Sequence, residues 1–299
     1  MSNTVNVAFV QQFKDNLRLL AQQKGSKILP HVNVETIVGK YTHFERLGGT
    51  EADEVLSRHG DTPDPANLVH SRRRAILRTF DKAELIDDAD KVRLLIDPTS
   101  AYAMQLAFAL GRKADDIVLG AMYGDAQAVD SADAQAAVAF AAGNIVDEDF
   151  NTSNSDLIVE KLREARRILL VNNVDLDAEQ PIILHDGTAL MSLLSDTEVT
   201  SADFNTVKAL VNGQLDSFMG FRFVHVERLA NAAHKTAEGF VRALVFVPSA
   251  MGVAIGRDMN VRISERDDKR YSTQVYAAMD IGAARIEEEK VVSIECYRT

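Results

Sequence analysis

The sequence has a single cysteine, Cys296, and few glycines (16) and prolines (6) among its 299 residues. One cysteine excludes an internal disulfide framework and any zinc site built from several cysteines. The low glycine and proline content gives no sign of intrinsic disorder. A chain that needs no disulfides is typical of a cytoplasm, so we expect this one to fold there.

Long apolar runs are also missing. The longest, around residues 136–146 and 243–256, fall well short of the roughly 18 residues that a membrane-spanning helix needs. The N-terminus lacks the basic and apolar regions of a secretory signal. We therefore expect neither a signal peptide nor a membrane partner.

The patterns of the common enzyme and metal sites are absent from the sequence. There is no glycine-rich phosphate loop, no G-x-S-x-G elbow and no H-E-x-x-H motif. The nearest approach to a calcium loop is Asp175, Asp177 and Glu179 with Asp186 at the twelfth position, but Gln180 stands where that loop needs glycine. We predict no catalytic, cofactor-binding or metal-binding residues and no enzyme activity, although active sites can be scattered along a sequence.

The charge is negative overall and unevenly placed. The chain has 33 Lys and Arg against 44 Asp and Glu, a formal net charge of −11, which argues against nucleic acid as its main ligand. Residues 71–78, SRRRAILR, contain four arginines and no acid, whereas residues 81–90 are rich in acids. Opposite blocks of this kind suggest pairing, including pairing between neighbouring copies.

A projecting hairpin is predicted in the first third of the chain. Residues 32–47 and 68–80 have strand patterns, and the segment between them is rich in turn-forming and acidic residues. The second strand is polar on both faces, which does not fit a folded core. An isolated hairpin is marginal in water, so we expect it to be supported from outside its own chain, as in an assembly protein.

The remaining pattern is α+β, with a β-rich final third. Helical spacing of apolar residues is clearest at 97–124, which Gly124 closes. Further helices are predicted at 5–24, 153–170 and 186–196. The segment SAMGVAIGRD (249–258) is interpreted as a short helix, and EEEK (287–290) as a tight hairpin turn between the last two strands.

Three segments carry a resemblance to a known family. DPTSAYAMQLAFALGRKADDIVLGAMYGDA (97–126) resembles a spine helix and the turn after it, PIILHDGTALMSLLSD (181–196) resembles the strand and helix that open an axial domain, and VYAAMDIGAARIEEEKVVSIECY (275–297) resembles the returning strands of a peripheral domain. In this order they resemble a tailed-phage major capsid protein with the Hong Kong phage capsid fold. The resemblance covers nearly the whole chain and rests on order and pattern.

The resemblance implies a division of the chain into named parts. These are an N-terminal arm (1–35), an extended loop (36–82), a peripheral domain (83–172) with its spine helix (98–124), an axial domain (173–272) and returning strands of the peripheral domain (273–299). The extended loop would lie over a neighbouring copy, and the arm would reach another.

The function implied is that of a virion shell protein, assembled in the host cytoplasm as hexamers and pentamers into an icosahedral shell around double-stranded DNA. The implied partners are other copies of the chain, a portal, a decoration protein where the virion has one, and DNA on the inner face without sequence specificity. A separate scaffolding protein is expected, because the arm helix begins near residue 5. The alternatives are an encapsulin-like compartment shell and an unrelated α+β enzyme.

Contacts between copies are expected at six residues, four in the extended loop and two in the arm: Arg72, Arg73, Arg74, Phe44, Phe13 and Leu17. Because side chains alternate along a strand, Arg72 and Arg74 should share one face and Arg73 the other. At least one of these faces is expected to meet carboxylates of an adjacent copy, the alternative being that all three arginines are solvated.

Overall fold

The computed structural model describes residues 22–52, 54, 68–87, 99–130, 133–150, 154–195, 217–230 and 239–297. Residues 5–21 of the predicted N-terminal helix and most of the hairpin tip lie outside the described residues, and residues 22–24 are not helical. Among the helices of the described ranges, none is both long and apolar enough to cross a membrane.

Within these ranges the chain forms three α-helices and fourteen strands. The helices are α1 (Thr99–Tyr123), α2 (Val159–Val171) and α3 (Gly187–Ser195). The strands are β1 (Asn33–Thr36), β2 (Tyr41–Leu47), β3 (His70–Ile76), β4 (Arg78–Ile86), β5 (Ala126–Val129), β6 (Gln135–Val138), β7 (Ile145–Val146), β8 (Ile182–His185), β9 (Ser217–Phe218), β10 (Phe221–His225), β11 (Phe240–Phe246), β12 (Met251–Arg266), β13 (Ser272–Arg285) and β14 (Val291–Tyr297).

The chain divides into two compact units. The first comprises residues 1–26, 78–114 and 256–281, and the second comprises residues 27–77, 115–255 and 282–299. Three of the five boundaries fall within α1, β12 and β13. The named division into arm, loop, peripheral domain and axial domain stays a prediction, while the spine helix expected at 98–124 corresponds to α1.

The first unit contains an antiparallel pair of strands and the first part of α1. β4 pairs with β13 from Ile86 opposite Thr273 to Arg78 opposite Ile281. The N-terminal segment lies against the helix at Gly111, where an added Cβ would come within 2.7 Å of the Gly25 backbone. The sequence therefore needs glycine at position 111 for this close approach.

The second unit contains a six-stranded sheet in the order β7-β14-β11-β8-β10-β9. β8 and β10 are parallel, as are β14 and β7, and the other pairs are antiparallel. Helix α2 packs on this sheet with its apolar stripe, Leu162, Ala165 and Leu169, each fully buried. The apolar residues that the helical spacing and the strand alternation indicate therefore pack together in one core.

The hairpin base belongs to a second sheet of the same unit. This four-stranded antiparallel sheet has the order β2-β3-β5-β6. The base of the hairpin therefore has support within its own chain, since β5 borders β3 directly, and support from another copy stays a prediction. The polar strand β3 fits a folded structure because its buried arginines have carboxylate partners, which binary patterning alone does not reveal.

Two predictions about the last third of the chain are wrong. The segment 249–258, interpreted as a helix, forms a single turn at Pro248–Ala250 and then the start of the long strand β12. A short apolar run cannot be told from a helix by periodicity alone, and here both faces of the strand are buried. EEEK forms a short 3₁₀ turn, and β13 and β14 lie in different sheets rather than in one hairpin.

Two long cationic side chains are fully buried in the second unit. Arg285 donates to the carbonyl oxygens of Met122 and Gly124, each at 2.8 Å, and to that of Val138 at 3.2 Å. Lys161 donates to the carbonyl oxygens of Ser155 and Glu295 at 2.7 and 2.9 Å. Because buried carbonyl groups need donors, these side chains tie together strands and loops that make no ladder with one another.

Arg285→Ala should be severely destabilising. The change leaves three carbonyl oxygens without their donor and removes one of the three cations beside Glu288, and we expect the free energy of unfolding to fall by about 3–5 kcal/mol. Urea unfolding of the unassembled subunit measures this. Arg262→Ala, at an exposed position, serves as the control and should change it by less than about 0.5 kcal/mol. A loss at position 285 no larger than that of the control would contradict this role.

Candidate functional site

The arginine cluster lies on β3, inside the four-stranded sheet. The register places Arg72 opposite Glu45 and Arg74 opposite His43 on β2. Because side chains alternate, Arg72 and Arg74 lie on one face, here called the open face, and Arg73 lies on the other, here called the inner face. The open face also carries the β2 residue Tyr41 and, opposite it, Ile76.

The inner face is held by one carboxylate, that of Glu288. Its Oε1 accepts hydrogen bonds from Nε and Nη2 of Arg73 at 3.2 and 2.9 Å, and its Oε2 accepts one from Nη1 of Arg46 at 2.9 Å. Arg73 and Glu288 are both less than a tenth exposed. Removing one partner of such a buried pair leaves a buried, unpaired charge, so Glu288 fixes both strands of the hairpin, β2 through Arg46 and β3 through Arg73.

The position of Glu288 is itself fixed by the turn that follows β13. Asn144 Nδ2 donates to the carbonyl oxygens of Glu288 at 2.6 Å and of Val291 at 3.1 Å. The Nε of Arg285 lies 4.0 Å from Glu288 Oε1. Burial lowers the pKa of Arg285, and the Glu288 carboxylate acts in the opposite direction. Glu288 is thus the counter-charge for guanidinium groups from three strands.

On the open face, the two arginines have different surroundings. Arg74 is buried, with its Cζ 4.4 Å from the centre of the Tyr41 ring and its guanidinium paired with Asp133 in the turn between β5 and β6. Arg72 pairs with Glu45 at 3.1 Å, and its side chain remains 49% exposed. Arg72 is therefore the cation of the cluster that stays at the surface.

Exposed apolar side chains accompany Arg72 on the described part of the hairpin. Tyr41 and Ile76 lie at its base, and Leu47, Leu68 and Val69 lie toward its tip. The backbone N–H of Gly48 donates to the carbonyl of Val69 at 2.8 Å, so the two strands remain paired at that end. Contiguous exposed apolar side chains mark interaction surfaces more often than single ones do.

The other predicted contact residues have different locations. Phe44 is buried in a small core, and its ring lies so close to Gly252 that an added Cβ would be 2.5 Å from it. The structure thus gives Phe44 and Arg73 partners in their own chain, and their contact with a neighbouring copy stays a prediction. Phe13 and Leu17 lie outside the described residues.

The acids weighed as a calcium loop instead bind their own backbone. Asp175 Oδ1 accepts the N–H groups of Asp177 and Ala178 at 3.0 and 3.1 Å. Glu179 accepts the N–H of Ser249 at 3.2 Å, and Asp186 accepts the N–H of Ala189 at 3.1 Å, in the first turn of α3. The contacts of Asp175 and Asp186 are those of a turn and a helix cap, whereas that of Glu179 joins the loop before β8 to the turn after β11.

An acidic cluster that the sequence did not indicate lies beside β14. The carboxylates of Asp147, Glu148 and Glu295 lie within 4.8 Å of one another. Burial raises the pKa of Glu295, Arg242 opposes this shift, and Glu148 adds to it. Arg242, with Nη2 3.5 Å from Glu295, supplies a counter-charge to the cluster.

Sequence reasoning missed Glu288, Arg46 and Arg285, the residues that hold the hairpin base. Glu288 lies in an acidic run whose sequence indicates only a turn. Arg46 and Arg285 are single arginines within strand patterns, and nothing near them in the sequence marks them as buried cations. The one available signal was the arginine-rich strand itself, since buried arginines require carboxylates.

Comparison with known proteins identifies one family for nearly the whole chain. The family model for phage capsid proteins matches residues 5–298. No curated protein matches the chain. The match extends over both compact units, so it concerns the whole architecture rather than one motif.

Solved capsids share the fold at low sequence identity. The capsid of Ralstonia phage GP4 is 11% identical with a TM-score of 0.74 over 97% of this chain and 96% of that one. The capsid of cyanophage P-SCSP1u is 16% identical with a TM-score of 0.72 over 100% and 96%. The head protein of Helicobacter pylori bacteriophage KHP40 is 11% identical with a TM-score of 0.71 over 99% and 98%.

These matches confirm the predicted α+β capsid fold and the predicted absence of an enzymatic role. The chain belongs to the phage capsid protein family and is, as predicted, a major capsid protein of a tailed phage and a structural component of the virion.

Proposed function

We propose that this capsid protein forms hexamers and pentamers of an icosahedral shell, with the open face of the hairpin sheet as a contact between copies. The observation that carries the proposal is the half-exposed Arg72 on a sheet whose inner face is fixed by Glu288. A fixed base presents the same surface in every copy, which a repeating shell requires. The exposed apolar residues Tyr41 and Ile76 extend that surface.

The chemistry of the contact follows from the guanidinium group. Arg72 can bind a carboxylate in bidentate fashion, and it already shares the surface with Glu45, so a second carboxylate from another copy completes a network. An exposed ion pair contributes about 0–1 kcal/mol, but the contact recurs with every copy of the shell. Arg73, Arg74 and Phe44 hold the surface in shape, and Phe13 and Leu17 provide the arm contact.

The shell would enclose double-stranded DNA. The net charge of −11 suits an inner wall that does not hold the DNA tightly, and the basic residues of segment 1–30 are the part suited to face it. A portal, a separate scaffolding protein and, where present, a decoration protein complete the list of partners in this proposal.

Expression of the full chain with its scaffolding protein should give closed, shell-sized particles in electron micrographs. A capsid protein carries its assembly information in its own surfaces, whereas an enzyme elutes as a small oligomer. Nucleic acid inside particles from infected cells separates a virion from a protein compartment of the encapsulin kind. Small oligomers under all assembly conditions would contradict the proposal.

Glu288→Gln should loosen the hairpin base. The neutral amide leaves the cations of Arg46, Arg73 and Arg285 without their shared counter-charge, and we expect the free energy of unfolding to fall by about 3–5 kcal/mol. Glu289→Gln is the matched control, because Glu289 is half exposed and lies 3.6 Å from Arg46. Chemical unfolding of both variants measures the two changes in the free energy of unfolding. Equal losses of stability at the two positions would rule out a special role for Glu288.

Arg72→Ala should spare the subunit and weaken the shell. The Arg72–Glu45 pair is exposed, so its loss costs the subunit at most about 1 kcal/mol. We expect particles of the variant to dissociate at lower salt than wild-type particles. Arg167→Ala removes an exposed arginine from its ion pair with Glu164 and serves as the control. Particles with unchanged yield and unchanged salt and heat resistance would exclude Arg72 from the contact.

A further inference from the structure

A second candidate contact lies in the second unit, away from the hairpin sheet. A pocket of about 350 Å³ opens between the segment before β1, the loop before β8, β10 and the turn after β11. Its lining includes four apolar residues, of which two are buried: Val32 and Ile182, with Pro30 and Pro248. The volume is at the small end for ligand pockets, which fits a single side chain rather than a helix or strand.

The rim of the pocket contains a cation, Arg222, and an acid, Glu179, that form no ion pair with each other. Arg222 of β10 is exposed and forms no ion pair with any residue that the structure describes. Its backbone is fixed, because its N–H donates to the carbonyl of Pro181 at 2.9 Å and it pairs with Ile182 in the β8–β10 ladder. A guanidinium group on a fixed strand is positioned for bidentate binding of an acceptor.

His31 faces the same pocket. Burial and the positive charge of Arg222 together lower its pKa, so that at neutral pH the imidazole is neutral and can donate one hydrogen bond. Asn33 adds a side-chain amide to the rim. The donors of the pocket therefore come from β10 and from the segment just before and within β1.

The acidic residue of the rim narrows the choice of ligand. Glu179 lines the pocket, and its Oε2 accepts the N–H of Ser249 at 3.2 Å. Its negative charge disfavours a multiply charged anion such as phosphate. Because its Oε2 is bonded to Ser249 rather than to Arg222, the guanidinium group can still bind a single carboxylate. A carboxylate with a short apolar stem satisfies the apolar lining residues, the guanidinium and the imidazole together.

We propose that the Arg222 pocket receives an aspartate or glutamate side chain from a second copy of this chain. The proposal rests on the assembly function proposed above. A second copy is the occupant that the charge favours, because the chain has 44 acidic against 33 basic residues and every copy in a shell is surrounded by others. The pocket then pairs an exposed cation with one of the chain's many acids.

Arg222→Gln tests this contact, with Arg262→Gln as the matched control at another exposed arginine. We expect the critical concentration for assembly of Arg222→Gln to rise by about threefold or more, the effect of one exposed ion pair per contact. The melting temperature of the unassembled subunits should be the same for wild type and both variants. Arg222→Lys keeps the positive charge but loses the planar guanidinium group that binds a carboxylate through two hydrogen bonds. This variant should therefore assemble better than Arg222→Gln but less well than wild type.

The outcomes separate this proposal from the assembly function itself. If wild-type protein forms shells and Arg222→Gln assembles at the wild-type concentration, the pocket is not a contact between copies, although the chain is still a shell protein. Sodium acetate added to unassembled subunits, followed by the NMR signal of His31, shows whether the pocket binds a free carboxylate. Acetate binding together with unaffected assembly of Arg222→Gln would assign the pocket to small anions and overturn the proposal.

Discussion

The ion pairs of Glu288 are the interaction on which the described part of the hairpin depends. One carboxylate in a short turn binds Arg46 of β2 and Arg73 of β3 and lies 4.0 Å from Arg285 of β13. Arg73, Arg285 and Glu288 are buried, so the desolvation cost of their charges is offset only while the partners are in place. The inner face of a strand with three consecutive arginines can therefore pack against the protein body.

The same alternation that buries Arg73 leaves Arg72 at the surface. A strand presents successive side chains to opposite faces, so one run of arginines can hold the sheet on one side and present a cation on the other. Arg74 lies on the same face as Arg72 but is buried, because it packs against the ring of Tyr41 and pairs with Asp133. A surface contact placed on such a strand is rigid, and a rigid surface loses less entropy when copies associate.

The sequence predicted the parts of the fold that depend on local pattern. The long helix at 99–123 and the strand–helix at 182–195 follow from apolar spacing and caps. The first part of the strand at 251–266 was misinterpreted as a helix, because a short apolar run that is buried on both faces has no alternation to distinguish it from a helix. The partners of the arginines could not be predicted, because Glu288 and Arg73 are 215 residues apart and no local signal links them.

A map of the assembled shell at side-chain resolution tests the central claim most directly. The account predicts that Glu288 binds Arg46 and Arg73 of its own chain in every copy, while Arg72 lies within salt-bridge distance of a carboxylate from another copy. If Glu288 instead pairs with arginines of a neighbouring copy, or if Arg72 faces solvent throughout the shell, the account is wrong.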